Sequence, residues 1–187
     1  MQIARAVLGN VWVLMFLAAA TAVAFAYVHL GPKSQRIRRL GRSFTFLAFA
    51  LILAATLYPT GASGAPGLNN CVDSLSTALS EPTSGEAGQR FLNILLFVPC
   101  SLMLGLTARR PFLAVFVLVG ASAAIEVVQA LSGSHTCSGA DWRANIIGCL
   151  IGGAVGTLAR LTWRRYSQWR NSGRVIPSPA ALDARNG

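Results

Sequence analysis

The strongest constraint on this chain is a series of apolar runs, each about as long as a bilayer's hydrocarbon core is thick. A helix of about 20 apolar residues crosses ~30 Å of hydrocarbon, because each residue rises about 1.5 Å. A helix also satisfies its own backbone hydrogen bonds, which lipid cannot do. Five runs fit: Ala6 to Leu30, Ser43 to Thr60, Phe91 to Ala108, Pro111 to Ser132 and Trp142 to Trp163. The first contains no formal charge, and the fourth contains only Glu126. Composition agrees, with 53% hydrophobic and 12% charged residues, against roughly 25% charged in soluble domains. The expected fold class is all-α, a polytopic membrane helix bundle with about five transmembrane helices.

Charge placement orients the bundle. The net charge of +10 comes from 16 basic and 6 acidic residues. On a soluble domain such a balance would suggest nucleic acid, but here the basic residues cluster by side. Lys33, Arg36, Arg38, Arg39 and Arg42 follow the first run, and Arg109 and Arg110 follow the third. Arg164, Arg165, Arg170, Arg174 and Arg185 follow the fifth. With five spans all of these share one face, which the positive-inside rule makes cytoplasmic. The N-terminus is then outside and the C-terminus inside. A cleaved signal peptide at the first run would leave Lys33 to Arg42 outside, so that run reads as a span. No nucleic-acid partner is expected, and the localisation implied is a plasma membrane crossed several times.

The expected organisation follows from this. Residues 1–60 form two N-terminal transmembrane helices joined by a basic cytoplasmic loop. Residues 61–90 form an extracytoplasmic loop rich in Gly, Ser and Pro, with a short interfacial helix over Val72 to Ser80. Residues 91–163 form a three-helix core, and 164–187 a basic, disordered cytoplasmic tail. Trp163, Tyr166 and Trp169 suit an interfacial aromatic belt.

Polar residues inside the spans are the functional lead, because an acid at mid-span costs about 2.5 to 3.5 kcal/mol and usually faces protein or water. In the fourth run Ser122, Glu126, Gln129 and Gly133 share a helical face, and in the fifth Asp141, Asn145, Gly148 and Gly152 do so. Asn93 opens the third. From the rise per residue, Glu126 lies roughly 10 Å below the outer end of its helix and Asn145 about 5 Å below that of its own. Asn93, Glu126, Gln129, Asp141 and Asn145 are thus the candidate site, in the outer half of the membrane. The alternative is a structural network tying three helices together, with each bond worth about 1 kcal/mol.

Other features concern packing and redox state. Ala144, Gly148, Gly152 and Gly156 form a small-residue ladder at steps of four, which permits close helix approach. Packing within the chain is favoured over a homodimer, and oligomeric state stays open. Pro99 frees the carbonyl of Leu95, predicting a kink beside Cys100. Cys71 and Cys137 fall in outer loops, where an oxidising exterior favours a bridge between them. Cys100 and Cys149 read as small packing residues. Neither a metal site nor a cofactor is expected, since no CxxC or His-Cys spacing is present.

Three segments together resemble the VanZ-like family of small membrane proteins: NILLFVPCSLMLG from Asn93 to Gly105, EVVQ from Glu126 to Gln129, and CSGADWRANIIGCLIGG from Cys137 to Gly153. The positions matched are Asn93, Pro99, Glu126, Gln129, Asp141, Asn145, Gly148 and Gly152. The chain departs from the family pattern at His135, where an arginine is usual, and a neutral histidine does not replace a guanidinium fork. The resemblance implies a bacterial cell-envelope protein acting at the outer leaflet, and its named member is associated with low-level resistance to the antibiotic teicoplanin.

Three functions are then compatible with the sequence. The first is binding or modification of a lipid-linked envelope component such as a cell-wall precursor, or reduced access of a glycopeptide to it. The second is an enzyme using Glu126 or Asp141 as general acid or base on a lipid headgroup. The third is a non-catalytic scaffold or solute passage.

Overall fold

The structure is a computed structural model that describes residues 11–30, 32, 35–56, 68–77, 87–132 and 138–172. It contains α1 (Val11–His29), α2 (Arg36–Thr56), α3 (Leu68–Thr77), α4 (Ala87–Thr107), α5 (Pro111–Ser132) and α6 (Gly139–Ser172). No strand occurs among the described residues. The helices α2, α4, α5 and α6 are long and apolar enough to cross a membrane, and α1 is a shorter apolar helix. The all-helical membrane bundle expected from the apolar runs is what the chain forms.

The surface is inverted relative to a soluble protein. Phe112, Phe116 and Leu158 are strongly exposed, whereas Ser101, Ser122, Glu126, Gln129 and Asn145 are buried. That distribution suits a lipid solvent, which rewards apolar exteriors and leaves small and polar residues to join helices. The apolar core gathers Ile52 of α2, Phe97 and Cys100 of α4, Leu118 and Ile125 of α5, and Cys149 of α6.

The most extensive helix contact is between α4 and α6, and the glycine ladder explains it. A Cβ at Gly148 would lie 2.5 Å from the carbonyl oxygen of Ile94. At Gly152 it would meet the carbonyl of Val98, and at Gly156 that of Leu102. Both series advance by four residues in the same direction, so the two helices run parallel with their backbones in contact. Gly105 returns the contact from α4, where a Cβ would lie 2.8 Å from the Gly153 carbonyl oxygen. The Ser101 hydroxyl donates to the Cys149 carbonyl and ties the pair at mid-height. Gly153, one position beyond the α4-facing stripe, meets Val115 of α5 as well as Ser101 of α4.

Short connections set the remaining topology. Pro111 occupies the first turn of α5, where its missing N–H costs nothing, and the Ala114 amide donates to the Arg110 carbonyl at 3.0 Å. Only Ala108 to Arg110 separate α4 from α5, so these two run antiparallel. The Arg160 guanidinium donates to the Ala108 carbonyl and closes the end of α4. Helix α1 packs on α2, where Arg39 donates to the Tyr27 carbonyl at 2.9 Å and lies 4.9 Å from that ring's centroid.

Several boundaries differ from the sequence reading. The basic stretch from Arg36 to Arg42 is the first two turns of α2 rather than loop. The short helix of the 61–90 segment spans Leu68–Thr77, earlier than Val72 to Ser80. Helix α4 starts at Ala87 and runs on through Pro99. Residues 164–172, expected as disordered tail, continue α6, which has 34 residues. Its length of about 51 Å exceeds the ~30 Å hydrocarbon core, so its last turns stand clear of it. Trp163, Tyr166 and Trp169 stack there at 6.3 Å spacings on one exposed face.

Candidate functional site

The candidate polar residues lie at the end of the bundle where α2 and α5 finish and α4 and α6 begin. Ser138 organises this end. Its carbonyl accepts from the Trp142 amide at 3.0 Å, and its hydroxyl accepts from the Asp141 amide at 3.2 Å. This is an N-cap, which satisfies donors that a helix start otherwise leaves open. In a capping box an acidic side chain of the same helix would accept the cap's own N–H. Here Glu126 of α5 accepts it, with the Ser138 amide 3.2 Å from its Oε2. The Glu126 carboxylate therefore sits at the positive end of the α6 dipole.

Glu126 is 5% exposed and Asn145 is 3% exposed. On the α6 wheel Asn145 falls between the Gly148 and Gly152 face against α4 and the Trp142 and Gly153 face against α5. Its Oδ1 is buried and has no hydrogen-bond partner among the described residues. Such a group is costly to leave unpaired, by about 1–3 kcal/mol, and each instance in a native fold calls for a reason. Asp141, in the first turn of α6, is half-buried.

The remaining candidates divide. Gln129 is buried, and its amide donates to the Thr56 carbonyl at the end of α2. It thus points to a different neighbour from Glu126, although both lie on one face of α5. Asn93 is half-buried and makes no side-chain hydrogen bond among the described residues. Ala144 is buried beside the glycine ladder. His135 and Cys137 lie outside the described residues. Cys71 is fully buried and disulfide-bonded, while Cys100 and Cys149 are free thiols in the apolar core. No cluster of metal-ligating residues occurs among the described residues.

Some contributors escaped the sequence reading. Ser138 was detectable, because Ser138-Gly-Ala-Asp141 is an S-x-x-D helix-start signature. Ser74 of α3 was not. Its hydroxyl accepts from the Gly139 amide at 2.9 Å, and a serine in a short interfacial helix carries no signal of that partner. Helix α3 is thereby docked on the start of α6, beside the Glu126 contact.

Chemically, the described groups are acceptors: a buried carboxylate, an orphan amide oxygen and a second carboxylate. Such a set takes up N–H and O–H donors. Among the described residues, Arg90 of α4 and Arg143 of α6 are the cations at this end, and neither is without a partner.

Comparison with known proteins supplies the lineage. Neither a curated protein nor a solved structure matches the chain. The family model described as VanZ/LLP1 matches residues 11–160, from the start of α1 to the α6 arginine that closes α4. The matched span holds α1 to α5, the first 22 residues of α6 and every described candidate residue, and the chain belongs to the VanZ/LLP1 family.

Proposed function

We propose that the protein is a multi-pass membrane protein of the bacterial envelope that binds the headgroup of a lipid-linked envelope component at the outer leaflet. The observations that carry this reading are two buried acceptors at the first two turns of α6: the Oδ1 of Asn145, which has no partner among the described residues, and the Glu126 carboxylate on the Ser138 amide. A headgroup rich in hydroxyl and amide donors, as in a lipid-linked cell-wall precursor, complements these acceptors. The orientation rests on the positive-inside rule, with the arginine-rich end in the cytoplasm.

Membership of the VanZ/LLP1 family favours resistance to a glycopeptide antibiotic as the phenotype to measure. Glu126→Gln keeps an oxygen to accept the Ser138 amide and removes the charge. Glu126→Ala removes both. In a glycopeptide-susceptibility assay with matched expression, E126Q is expected to lose protection while the purified protein keeps its unfolding temperature. Full protection by E126Q, or equal destabilisation by both variants, would reduce Glu126 to a helix cap.

Asp141, in the first turn of the helix whose start Glu126 contacts through Ser138, favours a second reading. One carboxylate would act as general acid or base on a bound headgroup. Turnover of lipid extracts by the wild type and not by Asp141→Asn would support it.

A further inference from the structure

A cavity of about 1000 Å³ opens at the opposite, arginine-rich end of the bundle. None of the five candidate site residues lines it. Its origin lies in the packing. Helices α2 and α5 both lean on α4 and barely touch each other, so the space between them stays open with α4 as its floor. The walls are apolar: Phe46 and Phe49 from α2, Leu104 from α4, Leu113 and Val117 from α5. No acidic residue lines it.

The mouth is charged. Arg42 of α2 and Arg109 and Arg110 of the α4–α5 turn converge there from two separate segments. Two other arginines of this end are turned to protein partners, Arg39 on Tyr27 and Arg160 on the Ala108 carbonyl. The Arg109 and Arg110 side chains are exposed and make no hydrogen bond or ion pair among the described residues. Among the described residues Arg42 reaches only the Tyr27 hydroxyl, at 3.4 Å. The positive-inside rule explains why arginines stand at this end. It does not explain why three of them ring the mouth of an apolar groove.

The groove also has the depth of a leaflet. From Arg110 to Ala121, the deepest wall residue along α5, the helix rises about 16 Å, close to half of the ~30 Å hydrocarbon core. We infer that this groove is a binding site for an anionic phospholipid of the leaflet at the arginine-rich end. An acyl chain lies along Leu113 and Val117, and the headgroup phosphate rests on Arg42, Arg109 and Arg110. Guanidinium groups pair with phosphate oxygens through parallel N–H donors. A zwitterionic lipid would fill the same walls but carry its own cation to the mouth. The site is independent of the acceptor cluster at the start of α6, and the lipid is expected to hold α2 and α5 at a fixed separation.

Native mass spectrometry of the full chain in detergent tests this, with phosphatidylglycerol and phosphatidylcholine of identical acyl chains as probes. The wild type is expected to take up one phosphatidylglycerol at concentrations where phosphatidylcholine adducts are rare. Arg109→Gln with Arg110→Gln is expected to weaken phosphatidylglycerol binding about thirty-fold, from about 1 kcal/mol per arginine near a charged lipid surface. Val117→Trp keeps all three arginines and fills the groove from a position that already faces outward, at 63% exposure. It is expected to lower binding comparably, and Ala114→Phe serves the same purpose from the half-buried wall. Equal binding of the two lipids by the wild type would overturn the proposal. So would undiminished phosphatidylglycerol binding by both groove-filling variants, which would leave only surface charge.

Discussion

At the residue scale, the same amino acid does opposite things in this bundle. Gly152 is filled in by its neighbours: a Cβ there would lie 2.9 Å from the Leu102 amide nitrogen and 3.0 Å from the Ser101 Cβ. Backbone atoms cannot rotate away, so Gly152→Ala has to push α4 and α6 apart. A loss of about 1–3 kcal/mol is expected, read from reversible unfolding in detergent. Gly120 of α5 has nothing within 4 Å of a built Cβ, and alanine is the better helix former. Gly120→Ala should leave stability within about 0.5 kcal/mol of wild type or raise it. Equal effects at the two positions would contradict the close α4–α6 contact. The ladder was legible in the sequence as spacing, but spacing could not say which helix fills it. The shared advance of four residues along Gly148, Gly152 and Gly156 and along Ile94, Val98 and Leu102 decides that.

At the element scale, the start of α6 shows how local signals and long-range contacts divide the work. Ser138 caps the helix through its own hydroxyl, a local bond that any S-x-x-D start can make. Ser138→Ala should therefore cost about 1 kcal/mol, measured by the same unfolding assay, whereas Ser138→Gly should cost only a few tenths. In both variants the backbone amide still donates to Glu126, so glycopeptide protection should persist if Glu126 acts through its charge. The sequence marked Glu126 and Gln129 as one polar face, and helical period sufficed for that. Their partners, Ser138 and the Thr56 carbonyl, come from different elements and carry no periodic signal. Element ends were equally out of reach. The arginines of α2 and the last turns of α6 read as loop and tail because their polarity matches water, yet helices continue past the membrane surface while their hydrogen bonds hold.

At the scale of the whole molecule, two chemically distinct ends face opposite leaflets. One gathers acceptors around the start of α6, and the other gathers arginines around an apolar groove. The disulfide at Cys71 belongs to the first end and favours an oxidising compartment there. That agrees with the orientation from arginine placement. Cysteine labelling of intact cells with a membrane-impermeant maleimide checks it. Ala87→Cys, exposed at the start of α4, should react from outside, and Arg110→Cys should be protected until the membrane is opened. The reverse pattern would invert the bundle and exchange the leaflets of both sites.

The sequence by itself determined the fold class, because only helices or closed barrels span lipid and the apolar runs have the length of helices. It also determined which residues are too polar for lipid to be there without cause. Tertiary structure alone decided which helices those residues join. It showed that, among the described residues, the Asn145 oxygen in the seam between α4 and α5 has no partner, and that α2 and α5 stand apart to form a groove. Both outcomes depend on contacts between segments far apart in the chain, whose geometry no local pattern of residues encodes.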